Sequence, residues 1–354
     1  MTAQIPTGAL SAHQLANQPG GVLKAVARRT LQYDFSVWFW GDAIAMDGLL
    51  EAAELLGDTS YSDFCLKYFQ RWSQRVLSWP DHLTPGAALL RLYERTHHRS
   101  LLDAAIRLAE WIAHVPKAPG LDVQLYRPDL PAYRHTVWVD TLYHEPPFFS
   151  LLARVTGAGE YDQYGLAIWN SHVTSLSSTR GPFLAHAFDT GARRLRGYGW
   201  GRGNGWALLG MADTLELLPE DQAGCAGATE DFVRLAEAVR NAQDPSGFWR
   251  TLLPEREVYL EASTAAFFGA AFVKGIRLGL LGHEFEEAAE RAWHAMLNNI
   301  DEDGGFFGVS ACTHVAVDPG DDVALYRTLP TDVNVWGQGA ALRFAAERIR
   351  AGLP

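Results

Sequence analysis

Asp244-Pro245-Ser246-Gly247-Phe248-Trp249 is echoed further along the chain by Asp303-Gly304-Gly305-Phe306-Phe307. Each run is a breaker that ends one helical stretch and leads towards the next, because Pro and Gly stop a helix while the aromatics mark a loop that packs. Three other long connections have the same Gly-, Pro- and aromatic-rich character: Trp79–Pro85, Pro116–His135 and Thr179–Arg202. Between them lie tight turns such as Gly57-Asp58-Thr59, Gly157-Ala158-Gly159 and Leu281-Gly282. Alternation of long and short connections implies a repeated helical hairpin of about 50–60 residues. Helical periodicity predicts about twelve helices, near 9–29, 36–56, 61–78, 84–96, 99–114, 137–157, 160–176, 203–218, 229–243, 259–279, 283–300 and 333–350. Short ribbons are expected near 121–135 and 305–327. Six hairpins closed into a ring make an all-α (α/α)6 barrel, expected as one catalytic domain over residues 1–354. If odd helices are outer and even helices inner, every long loop leads into an inner helix. Trp40, Asp81, Asp140, Trp200, Arg202 and Glu261 then gather at one mouth, the usual arrangement of a loop-borne site on a rigid scaffold.

Composition narrows the function classes. The chain has 354 residues, 48% hydrophobic and 20% charged, enough to bury a large core. Its net charge of −11 argues against a nucleic-acid partner, since phosphate binding needs clustered Lys and Arg. Three scattered cysteines, Cys65, Cys225 and Cys312, fit a reducing compartment without a disulfide framework or thiolate metal site. With neither a secretory pattern nor a long uncharged apolar run, a cytoplasmic location and no membrane partner are expected. Twelve Trp, 12 Tyr and 17 Phe supply rings for the core and stacking faces for sugars.

The sharpest candidate lies in Thr136-Val137-Trp138-Val139-Asp140-Thr141-Leu142-Tyr143-His144. Asp140 reads either as a carboxylate at a helix N-terminus or as a desolvated general acid. Asp81, before Thr84-Pro85, reads as a turn residue or a second carboxylate; Asp42 and Asp47 are weaker candidates. Gly199-Trp200-Gly201-Arg202-Gly203-Asn204-Gly205-Trp206 only superficially matches a nucleotide loop, for no strand precedes it. It reads better as a loop whose backbone approaches a ligand, with Trp200 as a stacking face and Arg202 as a planar carboxylate partner. His186 reads equally as a structural histidine or a substrate contact. There is no Gly-x-Ser-x-Gly elbow and no His-Glu-x-x-His zinc motif.

Taken together, these segments resemble the unsaturated glycuronyl hydrolases of glycoside hydrolase families 88 and 105, more closely the unsaturated rhamnogalacturonyl hydrolases of family 105. The resemblance runs from about residue 33 to 345. Its most specific parts are Trp138-Val139-Asp140-Thr141-Leu142-Tyr143, His186 with Asp189, Trp200 to Trp206, and Tyr259-Leu260-Glu261-Ala262-Ser263. It implies an (α/α)6 barrel and no metal or organic cofactor. It also implies a hydrolase that removes a 4,5-unsaturated uronic acid from the non-reducing end of lyase-generated acidic oligosaccharides. The implied reaction hydrates the C4=C5 vinyl ether. In it Asp140 is the acid/base and Asp81 the second carboxylate, while Trp40, Trp138, Tyr143, His186, Trp200 and Arg202 are substrate-binding residues. The chain departs from the family pattern at Tyr143–Pro147, at Phe188 and in the C-terminal segments 310–327 and 335–339. Those departures keep in view a saturated uronidase, another glycosidase or a sugar epimerase on the same barrel. A non-catalytic carbohydrate-binding protein is a remoter alternative.

Overall fold

The computed structural model describes residues 19–35, 40–78, 83, 85–315 and 322–354. Asp81 and residues 9–18, 36–39 and 84 of the expected helices lie outside them. Among the described residues six hairpins each pair an outer helix with an inner element. Outer α1 (Pro19–Thr30), α3 (Thr59–Trp72), α5 (Arg99–Ala113), α8 (Glu160–Leu176), α10 (Cys225–Asn241) and α12 (Glu286–Leu297) alternate with inner elements. The inner set is α2 (Trp40–Leu56), α4 (Gly86–Thr96), the pair α6 (Thr141–His144) and α7 (Pro146–Thr156), α9 (Gly201–Leu217), α11 (Ala262–Arg277) and α14 (Val335–Arg350). Each inner helix packs on the next, α2–α4–α7–α9–α11–α14, and α14 packs back on α2. That closes the ring as the loop alternation predicts. The first turns and bodies of α9, α11 and α14 are buried around their whole circumference, as helices enclosed by others must be.

Charge as well as oil fills the centre of the ring. Arg343 of α14 donates to both carboxylate oxygens of Asp213 of α9, at 2.7 and 3.0 Å, and Lys274 of α11 donates to the same carboxylate at 2.5 Å. Arg91 of α4 pairs with Asp47 of α2, and the Tyr143 hydroxyl of α6 donates to Asp47 Oδ2 at 3.0 Å. Each of the six inner elements thus contributes a side chain to one buried network. Buried charges survive only when paired, and these pairs link all six inner elements. Three cations around Asp213 hold its carboxyl far below the ordinary range, against the desolvation that raises it. Asp47, a weaker catalytic candidate in the sequence, belongs to this network.

Two sequence expectations change. The helix expected over 137–157 is broken into strand β1 (Thr136–Trp138), α6 and α7. The β-branched and aromatic run Val137-Trp138-Val139 suits a strand. Pro146 and Pro147 cannot donate to a continuing helix but are well placed in the first turn of a new one. The long connection at 179–202 contains an antiparallel hairpin, β2 (Ala185–Asp189) and β3 (Arg194–Tyr198), that adds β1 to make a three-stranded sheet. Shorter ribbons are β4 (Trp249–Arg250) with β5 (Leu260–Glu261), and β6 (Val309–Ser310) with β7 (Thr331–Asp332). The latter lies partly in the expected 305–327 ribbon, whereas 121–135 contributes one isolated bridge, Lys117 to Gln124. Between β6 and α14 runs a short helix, α13 (Asp322–Thr328).

Candidate active site

The three-stranded sheet brings the candidate residues together. In the β1–β2 register Trp138 lies opposite Ala187, and beyond it the Val139 N–H donates to the His186 carbonyl at 3.0 Å. Asp140 therefore leaves β1 beside His186. The β2–β3 hairpin places Tyr198 opposite Ala185, so the chain emerges at Trp200 on the same side. Asp189 closes this hairpin: its Oδ1 accepts from the N–H groups of Gly191 and Ala192, and its Oδ2 accepts from Arg196 at 2.7 Å. His186 is sandwiched by rings. It stacks on Trp200 at 3.8 Å between centroids and meets Trp138 edge-on at 4.6 Å.

Asp140 heads α6 without capping it, because its side chain makes no bond to the helix N–H groups. Its Oδ2 is buried with no hydrogen-bond partner, and the facing His186 Nε2, also without one, stands 3.9 Å away. Burial pushes the Asp140 carboxyl up to about 7, with Arg202 and a backbone hydrogen bond opposing part of the rise. Burial pushes His186 the other way, well below an ordinary histidine, and the Arg202 and His314 charges add to it. Asp140 holds its proton towards neutrality and His186 stays a neutral imidazole, so an acid and a hydrogen-bonding group, each with an unused polar atom, face the same space.

Arg202 is placed differently from the sequence expectation. Its fork donates to Ser310 O and Oγ, to Ala311 O at 3.0 Å and to Thr313 Oγ1 at 2.7 Å. Glu261 Oε1 stands 3.6 Å from it and accepts the Ser310 N–H at 2.7 Å, while Glu261 Oε2 accepts from Ser263. Arg202 and Glu261 therefore hold the segment after β6 against the site, and both terminal nitrogens of the guanidinium are engaged by protein. A strand, β3, does precede the glycine-rich run, against the sequence reading; Gly199 and Trp200 join it to α9, whose first turns hold Gly201 to Trp206 packed among other side chains rather than in an open loop. A side chain at Gly203 would collide with the Trp200 ring and with Val139, 2.8 Å away.

Trp40, half-buried at the start of α2, lies 4.9 Å from Trp336 of α14 and meets Trp206 edge-on. Trp336 also takes the Arg202 guanidinium against its face at 5.6 Å. Trp138 is stacked on Tyr126 at 4.1 Å, with its indole N–H donated to Thr136 Oγ1. Tyr143 is brought elsewhere, with its hydroxyl in the central network between Asp47 and Arg343. Asp81 lies outside the described residues.

Sequence reading overlooked Tyr326 of α13, whose hydroxyl stands 2.5 Å from His186 Nδ1, and it gave no role to Ser310, Thr313 or Trp336. All four lie where the helical pattern has lapsed or restarted, and their partners are distant in sequence. Among the described residues no three His, Cys, Asp or Glu side chains come together as metal ligands. No helix of the described residues is long and apolar enough to cross a membrane.

The fold is an α/α barrel whose inner-helix mouth carries a buried carboxyl among indole rings. The family model for Glycosyl Hydrolase Family 88 matches residues 22–352, and the chain belongs to that family. It is a glycoside hydrolase. The chain is 30% identical over 343 residues to the unsaturated rhamnogalacturonyl hydrolase YesR of Bacillus subtilis, covering 93% of this chain and 94% of that protein. Among solved structures it is similar in fold to a possible family 105 member from Klebsiella pneumoniae, with a TM-score of 0.85 at 21% identity, covering 98% and 96% of the two chains. It is similar also to an unsaturated glucuronyl hydrolase of Bacillus sp. GL1 described as degrading glycosaminoglycan, with a TM-score of 0.73 at 17% identity over 95% and 97% of the chains.

Proposed function

We propose that the protein removes a 4,5-unsaturated uronic acid from the non-reducing end of acidic oligosaccharides left by polysaccharide lyases, with Asp140 as the acid/base. The observation that carries this reading is the Asp140 carboxyl itself: buried, with Oδ2 unbonded and a pKa of about 7. Protonating a carbon needs an acid whose proton is populated near neutrality, which an ordinary aspartic acid is not.

Asp140 gives its proton to C4 as the ring-oxygen lone pair drives the vinyl ether open to a cation at C5. Water adds at C5 and returns a proton to Asp140. The resulting hemiketal opens to a C5 ketone, leaving a hemiacetal at C1 that expels the remaining saccharide as an alcohol and becomes an aldehyde. The net reaction consumes one water and makes no attack at the anomeric carbon. The two-carboxylate spacing of ordinary glycosidases therefore does not constrain it. Asp81 is proposed as the second carboxylate, and Trp40, Trp138, His186 and Trp200 as the ring surfaces around the sugar. The 30% identity to the Bacillus subtilis enzyme supports a rhamnogalacturonan-derived substrate, and a cytoplasmic site of action is proposed, which the three free cysteines fit.

The test is loss of the double-bond ultraviolet absorbance when enzyme meets a panel of unsaturated disaccharides from pectin, glycosaminoglycan and ulvan lyases. Turnover of one or more, abolished by Asp140→Asn, is expected. Turnover of saturated glucuronides with none of the panel would overturn the proposal.

A further inference from the structure

We infer that Tyr326 is a positioning residue of the active site: from α13 it locks His186 in the tautomer that carries its proton on Nε2, turning that nitrogen into a fixed donor beside Asp140. The inference rests on the proposed reading of the site. It concerns the C-terminal segment in which the chain departs from the family pattern.

Three observations on geometry carry it. The Tyr326 hydroxyl stands 2.5 Å from His186 Nδ1, a short hydrogen bond between two side chains that are both wholly buried. Backbone has been cleared to admit that hydroxyl. Gly197, next to His186 across the β2–β3 hairpin, has φ +57°, and a Cβ there would overlap the phenol oxygen and lie 2.8 Å from Tyr326 Cζ. A positive φ that only glycine adopts freely thus coincides with the space the phenol occupies. Finally, the other ring nitrogen, Nε2, is buried without a partner and faces the equally unbonded Asp140 Oδ2 at 3.9 Å.

The direction of the proton follows from relative basicity. An imidazole nitrogen is a far better acceptor than a neutral phenol oxygen, so Tyr326 O–H donates to Nδ1 and the ring proton resides on Nε2. Burial, which keeps His186 neutral, makes this choice of tautomer matter, because a neutral ring has one donor nitrogen and one acceptor. Trp200 and Trp138 fix the plane of the ring but cannot choose its tautomer. An Nε2–H aimed alongside Asp140 offers a donor to an oxygen, either the incoming water or a sugar hydroxyl, within reach of the carboxyl. Without the phenol the ring is free to put its proton on Nδ1, and the donor becomes a lone pair facing the acid.

The test is Tyr326→Phe, which removes one oxygen and keeps the ring. The readout independent of substrate is nitrogen-15 NMR of histidine-labelled protein at neutral pH, with the His186 signals identified by their absence from His186→Gln. Wild-type protein should show Nε2 protonated, and Tyr326→Phe should show a substantial Nδ1–H population. In steady-state kinetics kcat should fall on the order of 10- to 100-fold while KM moves by less than about 3-fold, the pattern of a lost positioning contact rather than a lost binding one. A wild-type Nδ1–H tautomer, or a Tyr326→Phe enzyme with unchanged tautomer and unchanged kcat, would overturn the inference. If none of the unsaturated disaccharides is turned over, the proposed function fails and the NMR result still decides the role of Tyr326.

Discussion

His186 Nε2 and Asp140 Oδ2 face each other across 3.9 Å, each buried and each without a hydrogen-bond partner. The gap is too long for a hydrogen bond and too short to admit a water between them. A substrate or water oxygen lying to one side can still touch both. Two polar atoms left unmatched in a folded interior raise the energy of the resting protein, and active sites are where such costs recur.

That pair sets a pH profile. The Asp140 carboxyl is pushed up to about 7, first by burial. Protonation is required for its role as acid, so kcat should be flat at mildly acidic pH and fall above about 7, tenfold per unit once the acid is mostly ionised. A pH–rate profile with lyase-derived disaccharide checks this. An alkaline limb starting near pH 5, as for an ordinary aspartic acid, would contradict the assignment.

The same shift makes a stability prediction. The folded pKa lies above the unfolded one, so between about pH 4 and 7 the folded chain keeps a proton that the unfolded chain releases. Wild-type stability is therefore lost as pH rises through that window. Asp140→Asn, which cannot ionise, should be more stable than wild type by roughly 2–4 kcal/mol at pH 8 and about equal at pH 4. Thermal midpoints at the two pH values test it, with turnover expected to fall by several orders of magnitude in the same variant. Equal midpoints at both would mean that the carboxyl is solvated.

Arg202→Lys separates two roles. A lysine keeps the charge beside Glu261 but cannot make the forked contacts to Ser310, Ala311 and Thr313. Stability should fall by about 1–3 kcal/mol, and amide exchange over 310–313 should quicken, with kcat lowered as the segment loosens. A rise in KM alone, with exchange unchanged, would instead make Arg202 a partner of the substrate carboxylate.

Tyr143→Phe should leave KM within about 2-fold and lower stability by about 1–3 kcal/mol, because the hydroxyl joins Asp47 to Arg343 inside the ring. Urea denaturation with parallel kinetics distinguishes this from direct contact with sugar, which would raise KM and spare stability.

The ring was legible because it is written locally. Breakers such as Asp244–Trp249 and Asp303–Phe307 sit between helices, and their alternation with tight turns gives the parity of inner and outer helices directly. Helix α8 was expected over 160–176 and occurs at Glu160–Leu176. The region before Pro146 misled, since apolar residues there satisfy both a helical and a strand pattern, and only pairing with β2 decides between them.

What the sequence determined by itself was the barrel, the end of it at which the long loops gather, and Asp140 as an acid candidate, because periodicity, breakers and motif spacing are properties of neighbours along the chain. Tertiary structure alone decided which of those residues meet. It set Tyr143 and Asp47 into the central charge network, turned Arg202 towards Ser310 and Thr313, and brought Tyr326 to His186 across 140 positions. It also raised Asp140 towards neutrality, since a pKa follows from desolvation and charge in space, which no local pattern in the chain encodes.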